Sequence, residues 1–265
     1  MPDDYYSDPE AYDSERGDDP IRRDDIPFYV GLAKEAAAAG HAVLELACGT
    51  GRVTIAIAEA GLPIVGLDAS PAMLGRARHK TEGRDNPRWV DGDMRDFRLD
   101  ERFGLVIIPF RSFLHLLTVA DQKACLAHIR EHLAEGGRLA LNVFNPDLAV
   151  ISGWQTAKRD LWERRPASDH KREHWFTRQY SSAVQQLDEV RQDVALSDDA
   201  AIISRVQRNL RLRYVFRYEM EHLLALSGFE VESLYGWFDR RPFTDESTEM
   251  VWLARAASDR PHLSS

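Results

Sequence analysis

The chain is constrained most by a short apolar run that breaks into a turn with two glycines. Val43–Ala47 holds one acid in an otherwise apolar run, which is typical of a buried parallel strand. Gly49 and Gly51 follow, and residues 52–60 then predict a helix that ends at Gly61. Strand, glycine turn and helix in this order form the opening half of a nucleotide-binding unit, because glycines let the backbone pass close to a ligand.

Two details of this segment argue against a dinucleotide. A dinucleotide fingerprint places a third glycine where this chain has Thr54. Glu45 lies within the strand, shortly before Gly49, and an acid at that place suits a cationic ligand better than a pyrophosphate. The next strand, predicted over residues 63–67, ends at Asp68, whose carboxylate can accept hydrogen bonds from both hydroxyls of a ribose.

With these motifs in place, the sequence resembles the class I S-adenosylmethionine-dependent methyltransferases of the small-molecule type. Residues 45–52 resemble the first motif of that family, residues 66–74 the second and residues 91–94 the third. The resemblance covers residues 27–146 and 217–256, and several motifs in the family's order and spacing are more specific than any one alone. It implies S-adenosylmethionine as the methyl donor and S-adenosylhomocysteine as the product.

The resemblance also implies how individual residues hold the donor. The backbone at Ala47, Gly49 and Gly51 passes under its methionine part, and Glu45 binds its ammonium directly or through water. Asp68 binds the ribose, and Asp93 with the Met94 amide binds the adenine amine. Alternatively, Glu45 is a buried carboxylate satisfied by a helix terminus, and the two aspartates are ordinary turn or cap acids. The full predicted donor set is Glu45, Ala47, Cys48, Gly49, Gly51, Arg52, Asp68, Ala69, Met73, Gly92, Asp93, Met94, Pro109, Phe110 and Ser112.

The alternation of strand and helix patterns predicts an α/β fold with a doubly wound, mostly parallel sheet of seven strands. The apolar run at residues 103–108 is typical of a central strand. The resemblance places the seventh strand antiparallel, in a final hairpin. Ile203–Phe216 instead alternates polar and apolar residues, and Arg208 alone interrupts the apolar face. This period of two predicts an inserted antiparallel sheet of three or four strands.

Local signals set the predicted helix bounds. Pro27 opens a helix that runs to Gly40, since proline favours the first turn and glycine the end. Ser70 caps the helix that follows Asp68. A later helix, predicted from Asp121 to Leu133, carries apolar residues at helical spacing and is expected to stop at Gly136 and Gly137.

These patterns divide the chain into four parts. Residues 1–25 form an acidic N-terminal lid or flexible segment, whose ten acids and three arginines account for −7 of the net charge of −9. Residues 26–146 and 217–256 form the donor-binding methyltransferase domain. Residues 147–216 form the inserted antiparallel β cap, and residues 257–265 form a flexible tail.

The acceptor side is predicted from the loop after the fourth strand and from the N-terminus. His115 is a candidate general base, because the unperturbed pKa of histidine lies near neutrality; alternatively, it is hydrogen-bonded within a helix start. Arg111 is expected to bind an acidic group of the acceptor or to pair with the lid. Tyr6 or Tyr5 is expected to close the pocket, and the inserted sheet to roof it. The candidate catalytic residues are therefore His115, Arg111 and Tyr6.

Composition excludes several classes of protein. The 265 residues are 44% apolar and 29% charged, as in soluble globular proteins. Two cysteines provide no disulfide framework and agree with a reducing cytoplasm, and Cys48 is expected to be a small packed side chain. No apolar run reaches the roughly 18 residues of a membrane span, and the acidic start argues against a signal peptide. The net charge of −9 argues against a general nucleic-acid binder.

Two classes of function remain open at this stage. The favoured one is methyl transfer to a nitrogen or oxygen of a small-molecule acceptor by in-line displacement, driven mainly by positioning and without a metal. An amine is the preferred acceptor, as in sugar N-methyltransferases. The alternative is a donor-binding protein with little turnover whose insertion serves dimerisation, so both a monomer and a homodimer are considered. An RNA or protein methyltransferase is weaker, because residues 108–111 differ from the Pro-Pro-Tyr-like tetrapeptide of base methylation.

Overall fold

The computed structural model describes residues 6–15, 19–153, 158–166, 171–197 and 202–257. Tyr5 and most of the predicted C-terminal tail lie outside the described residues. None of the described helices is long and apolar enough to cross a membrane. In chain order, the elements are α1 (Pro9–Glu15), α2 (Pro20–Ala38), β1 (Val43–Leu46), α3 (Arg52–Glu59), β2 (Ile64–Asp68), α4 (Pro71–Lys80), β3 (Arg88–Asp91), β4 (Phe103–Ile108), a 3-10 turn (Ser112–His115), α5 (Val119–His132), β5 (Leu133–Phe144), α6 (Leu148–Gly153), β6 (Lys158–Pro166), β7 (Lys171–Ser181), β8 (Gln186–Leu196), β9 (Ile202–Arg213), α7 (Arg217–Leu226), β10 (Phe229–Tyr235) and β11 (Glu249–Ala256).

Seven of these strands form one sheet in the order β10-β11-β5-β4-β1-β2-β3. The pairs β4–β1, β1–β2, β2–β3 and β4–β5 are parallel, whereas β11 runs antiparallel to both β5 and β10. The strand order reverses between β1 and β4, which makes their carboxyl ends the topological switch point of the sheet. The predicted doubly wound fold and its antiparallel final strand are both confirmed.

The centre of this sheet is apolar on both faces, as expected for strands covered by helices. Leu105 and Ile107 of β4 are fully buried and belong to a core cluster with Leu32 of α2 and Ile57 of α3. Val106, between them in sequence, is also fully buried. Because strand side chains alternate between faces, the burial of all three shows that both faces of β4 are covered.

Two helix bounds differ from the sequence predictions. Helix α2 begins at Pro20 rather than Pro27, because Asp19 caps it with a hydrogen bond from the Ile21 amide to its carboxylate (3.0 Å). Pro27 therefore lies inside the helix. Helix α5 ends at His132 and β5 starts at the next residue, so the predicted stop at Gly136-Gly137 is wrong and these glycines lie within the strand.

The inserted segment forms a separate four-stranded antiparallel sheet in the order β6-β7-β8-β9, as predicted. Its buried face differs in detail from the prediction. Leu210, Leu212 and Tyr214 are buried, but Val206 is 46% exposed and Arg208 is 6% exposed. The apolar face therefore begins at Leu210, and Arg208 lies buried beside it instead of interrupting an apolar row.

The same sheet holds a buried carboxylate. Glu189 of β8 accepts a hydrogen bond from Arg178 on β7 and another from Arg191 on its own strand, each 2.5 Å long. Burial alone would raise the pKa of Glu189, but the two guanidinium groups lower it to about 2. A neighbouring pair, Arg211 and Asp188, lies exposed on β9 and β8.

The chain divides into two compact units. The smaller contains residues 6–7, Leu114–Leu117 and Pro146–Tyr214, and therefore the inserted sheet. The larger contains Asp8–Phe113, Thr118–Asn145 and the part of the chain that follows Tyr214, and therefore the seven-stranded sheet.

The buried carboxylate of the inserted sheet gives a stability prediction. Replacing Glu189 with alanine takes away a buried carboxylate shared by two partly buried arginines, so the inserted sheet should lose about 3–5 kcal/mol of stability. Asp188→Ala is the matched control on the same strand, and an exposed pair should contribute about 0–1 kcal/mol. Hydrogen exchange of the β8 and β9 amides measures both. Equal loss of protection in the two variants would contradict the assigned role of Glu189.

Candidate functional site

The predicted donor residues follow strands that end side by side. Strands β1 and β4 are adjacent and parallel, so the segments after them meet at one edge of the sheet. Non-glycine residues adopt the left-handed backbone conformation in both segments: Ala47 (φ 54°) after β1, and Phe110 (φ 58°) with Arg111 (φ 66°) after β4. Such residues cost about 1–3 kcal/mol each and cluster at functional sites. The switch point of the sheet is therefore also a site of backbone strain.

The two glycines of the first turn serve different needs. Both have positive φ, 57° for Gly49 and 83° for Gly51. A Cβ on Gly51 would collide with the ring of Trp89, whereas a Cβ on Gly49 would meet no atom of the described residues within 4 Å. Gly51 is thus required by packing inside the protein. Gly49 leaves an open approach to the backbone, which fits a ligand that lies against the turn.

Trp89 is a residue of this site that the sequence analysis missed. It lies on β3, donates a hydrogen bond from its indole to the Thr81 hydroxyl (2.9 Å), and lies against Gly51. A Cβ on Gly66 of β2 would also lie only 2.6 Å from its ring. The glycine within the strand is the signal that could have found it, because such a glycine often marks a close approach.

Asp68 lies at the end of β2 and holds the glycine turn. Its Oδ2 accepts the Gly49 amide (2.7 Å) and its Oδ1 accepts the Ser70 amide (2.8 Å). Burial raises the pKa of Asp68, and these amide hydrogen bonds act against that rise. A carboxylate has about four acceptor positions, so each oxygen retains one for a further donor. This arrangement fits the predicted role toward two ribose hydroxyls.

Glu45 is buried within β1. It accepts a hydrogen bond from the hydroxyl of Thr54 on α3, so a side chain, rather than a helix terminus, satisfies it. Burial raises the pKa of Glu45 to about 8, although the Thr54 bond and the charge of Arg52 oppose that rise. Because burial disfavours the carboxylate of Glu45, an approaching cation would stabilise it, as predicted for the donor ammonium.

The segment after β3 carries the third motif. The Gly92 amide donates to the Asp68 carbonyl (3.0 Å), which joins the ends of β3 and β2. Asp93 pairs with Arg95 at 2.6 Å, and this arginine lowers the pKa of the Asp93 carboxyl. Met94 is half-buried beside it. The structure therefore shows Asp93 engaged by a neighbouring guanidinium, a partner that the sequence analysis did not anticipate.

Other members of the predicted donor set lie in different surroundings. Cys48 is buried, and burial raises its pKa well above the usual value, so the expected small packed thiol is confirmed. Met73 is buried in the core, while Ala69 is exposed. Arg52 binds Asp25 of α2 through two hydrogen bonds of 2.6 and 2.5 Å, and its guanidinium lies over the Phe110 ring.

The segment after β4 is held by a buried polar chain. Arg111 donates to the carboxylate of Glu249 on β11, and the Asn142 amide on β5 donates to the other oxygen (2.9 Å). The hydroxyl of Tyr29 on α2 donates to the Asn142 carbonyl (3.2 Å). Asn142, Glu249 and Tyr29 are fully buried. The described ion-pair partner of Arg111 thus belongs to the last strand, and its predicted binding of an acidic acceptor group or of the lid stays a prediction.

The rest of this segment contains a local bond and a pair in the smaller unit. The Ser112 hydroxyl donates to the Pro109 carbonyl (2.8 Å) and stabilises the turn. His115 and Tyr6 are brought together, with 2.8 Å between His115 Nε2 and the tyrosine hydroxyl and an edge-to-face ring contact at 5.3 Å. His115 is therefore not satisfied only within its own helix start, and two of the three candidate catalytic residues interact directly.

Residues 43–137 match the family described as a methyltransferase domain. The chain is 28% identical over 212 residues to the cypemycin N-terminal methyltransferase of Streptomyces sp, covering 80% of this chain and 82% of that relative. It is 30% identical over 144 residues to the dTDP-3-amino-3,4,6-trideoxy-alpha-D-glucopyranose N,N-dimethyltransferase of Streptomyces venezuelae, covering 49% of this chain and 60% of that relative.

Among solved structures, the CcbJ methyltransferase from Streptomyces caelestis matches with a TM-score of 0.77 and 26% identity, covering 96% of this chain and 98% of that chain. The match extends over both the seven-stranded sheet and the inserted sheet, because it includes nearly the whole length of each chain. These similarities show an S-adenosylmethionine-dependent methyltransferase with the class I fold.

Proposed function

We propose that this enzyme transfers the methyl group of S-adenosylmethionine to an amine nitrogen of a small-molecule acceptor. The Streptomyces venezuelae relative is named as an N,N-dimethyltransferase of an amino sugar, which supports a nitrogen acceptor. The observation that carries the proposal is the 2.8 Å contact between Tyr6 and His115. An amine releases a proton when it is methylated, and an imidazole oriented by a phenol is suited to take one.

The protein has two main roles in this reaction, to position the reactants and to accept a proton. The bound donor supplies a methyl group activated on a positively charged sulfur, and the electron pair of the broken S–C bond leaves with that sulfur. The acceptor nitrogen supplies the electron pair of the new N–C bond, so it must be neutral when it attacks. His115 then takes the proton that the methylated nitrogen releases. Tyr6 orients the imidazole through Nε2, and correct orientation accounts for much of the rate.

The proposed donor contacts are those that the resemblance implies, and the geometry of the larger unit supports the ones of Glu45, Asp68 and Gly49. Glu45 would bind the ammonium as a carboxylate, and Asp68 would accept from the ribose hydroxyls with the acceptor positions that the turn amides leave. The backbone at Gly49 would lie under the methionine part. Asp93 and the Met94 amide would bind the adenine amine.

A set of matched acceptors tests the nitrogen assignment. An amino sugar, a small peptide amine and the hydroxyl counterpart of each are incubated with the enzyme and methyl-labelled donor. Mass spectrometry then locates the label on the product. The proposal expects transfer to nitrogen and none to the hydroxyl counterparts. Transfer to oxygen alone, or donor binding without transfer to any of these acceptors, would contradict it.

The proton-transfer pair gives the next prediction. His115→Asn should lower kcat about a hundredfold, within the range of lost general base catalysis, and Tyr6→Phe should lower it less because the imidazole remains. Donor affinity should stay within about twofold of the parent in both variants. Steady-state kinetics and calorimetry with S-adenosylhomocysteine measure the two effects. Unchanged kcat in His115→Asn would remove it from the mechanism.

Asp68 gives a prediction for donor binding. Asp68→Asn keeps the size of the side chain but replaces one acceptor oxygen by a donor and removes the charge. Donor affinity should fall by about 1.5–3 kcal/mol, roughly ten- to over a hundredfold. Asp91→Asn is the matched control, because Asp91 ends the neighbouring strand and pairs with Arg78 on the surface. Calorimetry with S-adenosylhomocysteine should show full affinity in that control.

Glu45 gives a prediction about protons. Its pKa of about 8 leaves it mostly protonated at pH 6.5, and a bound ammonium favours the carboxylate, so donor binding should release close to one proton. Calorimetry in two buffers of different ionisation enthalpy measures this release. Glu45→Gln has no proton to release and should bind the donor more weakly. Equal proton release in parent and variant would contradict the assignment.

The same shift fixes the sign of a stability change in the protein without donor. The pKa of Glu45 is raised from 4.5 to about 8 in the folded chain, so the folded state binds more protons than the unfolded state between these values. The free energy of unfolding of the parent, relative to Glu45→Gln, should therefore fall as the pH rises from about 4.5 to about 8.

A further inference from the structure

The short helix α1 is tied to the glycine turn through one side chain. Asp13 accepts a hydrogen bond from the Thr50 hydroxyl (2.7 Å), and it pairs with Lys80 (2.7 Å) and Arg76 (3.2 Å) on α4. Its side chain is only 21% exposed. Three partners from two segments therefore converge on a single carboxylate of the N-terminal segment.

Thr50 is held at its backbone as well. Lys80 donates to the Thr50 carbonyl (3.1 Å), so the same lysine contacts both Asp13 and the turn. Thr50 is buried and lies between Gly49 and Gly51, both left-handed. Glycines lose more conformational freedom on ordering than any other residue, so a turn with two of them depends on outside contacts to stay in one conformation.

We propose that Asp13 is a positioning residue for the donor-binding turn and that docking of α1 is coupled to binding of S-adenosylmethionine. The proposal rests on the donor site described under the proposed function. The hydrogen-bond and ion-pair partners of Asp13 among the described residues are Thr50, Arg76 and Lys80, and none of them belongs to the predicted donor set. Asp13 acts through Thr50, whose hydroxyl and carbonyl are fixed by Asp13 and Lys80.

The next residue after the turn is held from a second direction. Arg52 donates to both oxygens of the fully buried Asp25 and to the Arg22 carbonyl (3.0 Å), which ties the start of α3 to α2. The Arg22 guanidinium in turn lies over the ring of Tyr12, the residue before Asp13. The acidic N-terminal segment thus fixes the chain on both sides of Gly51.

The expected effect of Asp13 on donor affinity follows from the fraction of molecules in which the turn has its binding conformation. If the turn adopts its binding conformation for only part of the time, the apparent affinity for the donor falls by that fraction. The Asp13 contacts keep that fraction high. By reciprocity, a bound donor strengthens the docking of α1 by the same factor.

The test compares Asp13→Asn with Glu10→Gln in the full chain. Each removes one negative charge from α1, but Glu10 is 80% exposed and lies 3.6 Å from Arg76 without touching the turn. We expect about tenfold weaker binding of S-adenosylmethionine and a faster donor off-rate in Asp13→Asn, with kcat at saturating donor within about twofold of the parent. Glu10→Gln should match the parent.

Three further measurements test the role of Asp13. Hydrogen exchange of residues 9–15 should slow when the parent binds S-adenosylhomocysteine and should not slow in Asp13→Asn. Thr50→Val removes the hydroxyl from the other side, and its effect on donor affinity should not add to that of Asp13→Asn. Added salt should weaken donor binding more in the parent than in Asp13→Asn.

The outcomes distinguish failure of the proposed donor site from failure of the proposed role of Asp13. A parent that does not bind S-adenosylmethionine overturns the donor site itself. A parent that binds it, with Asp13→Asn equal to the parent in affinity and off-rate, overturns the role of Asp13 alone. A fall in kcat without a change in donor affinity would also overturn it, because that pattern places the effect in the acceptor step.

Discussion

The hydrogen bond from the Gly49 amide to the Asp68 carboxylate connects the two motifs on which the donor site depends. It joins the turn after β1 to the end of β2, and the second oxygen of Asp68 fixes the start of α4 through Ser70. The Gly49 amide is half-buried and needs an acceptor, because a backbone donor away from water is costly when unpaired. Asp68 supplies it and keeps acceptor capacity for a ligand. One side chain can thus preorganise the turn and also bind a ligand.

A second constraint acts on the other side of the switch point. Phe110 and Arg111 are left-handed without being glycines, and such strain persists only where the surroundings fix it. Arg111 is fixed by Glu249, a buried acid on the last strand, which Asn142 also contacts. The final strand therefore does more than complete the sheet, since it supplies the countercharge for the turn after β4. A buried carboxylate in this position would be costly without its guanidinium and amide partners.

The sequence predicts best where local pattern and fold agree. The strands β1 to β4 could be predicted because burial on both faces requires apolar residues at successive positions. The alternation of β9 could be predicted because burial on one face requires them at every second position. The Arg111–Glu249 pair was not readable, because 138 positions separate the two residues and nothing local distinguishes Glu249 from an exposed acid. Asp25 was missed for the same reason, because its partner Arg52 lies 27 positions away, whereas Gly66 within β2 was an available signal for Trp89. That the inserted sheet covers the acceptor stays a prediction, and so do the contacts of individual residues with the donor.

The acidic N-terminal segment shows how composition can mislead. Its excess of acids is the usual mark of a solvated tail, yet within the described residues three of those acids have separate structural tasks. Asp19 caps α2, Asp13 joins α1 to Thr50 and α4, and Asp25 binds Arg52 with no exposure to solvent. These three aspartates each bind specific partners, so the negative charge of the segment does not indicate a solvated tail. Asp25, fully removed from water, is paired with Arg52, while Asp13 and Asp19 are partly buried and bind specific donors. Specific partners, rather than net charge, distinguish these aspartates from the acids of a tail.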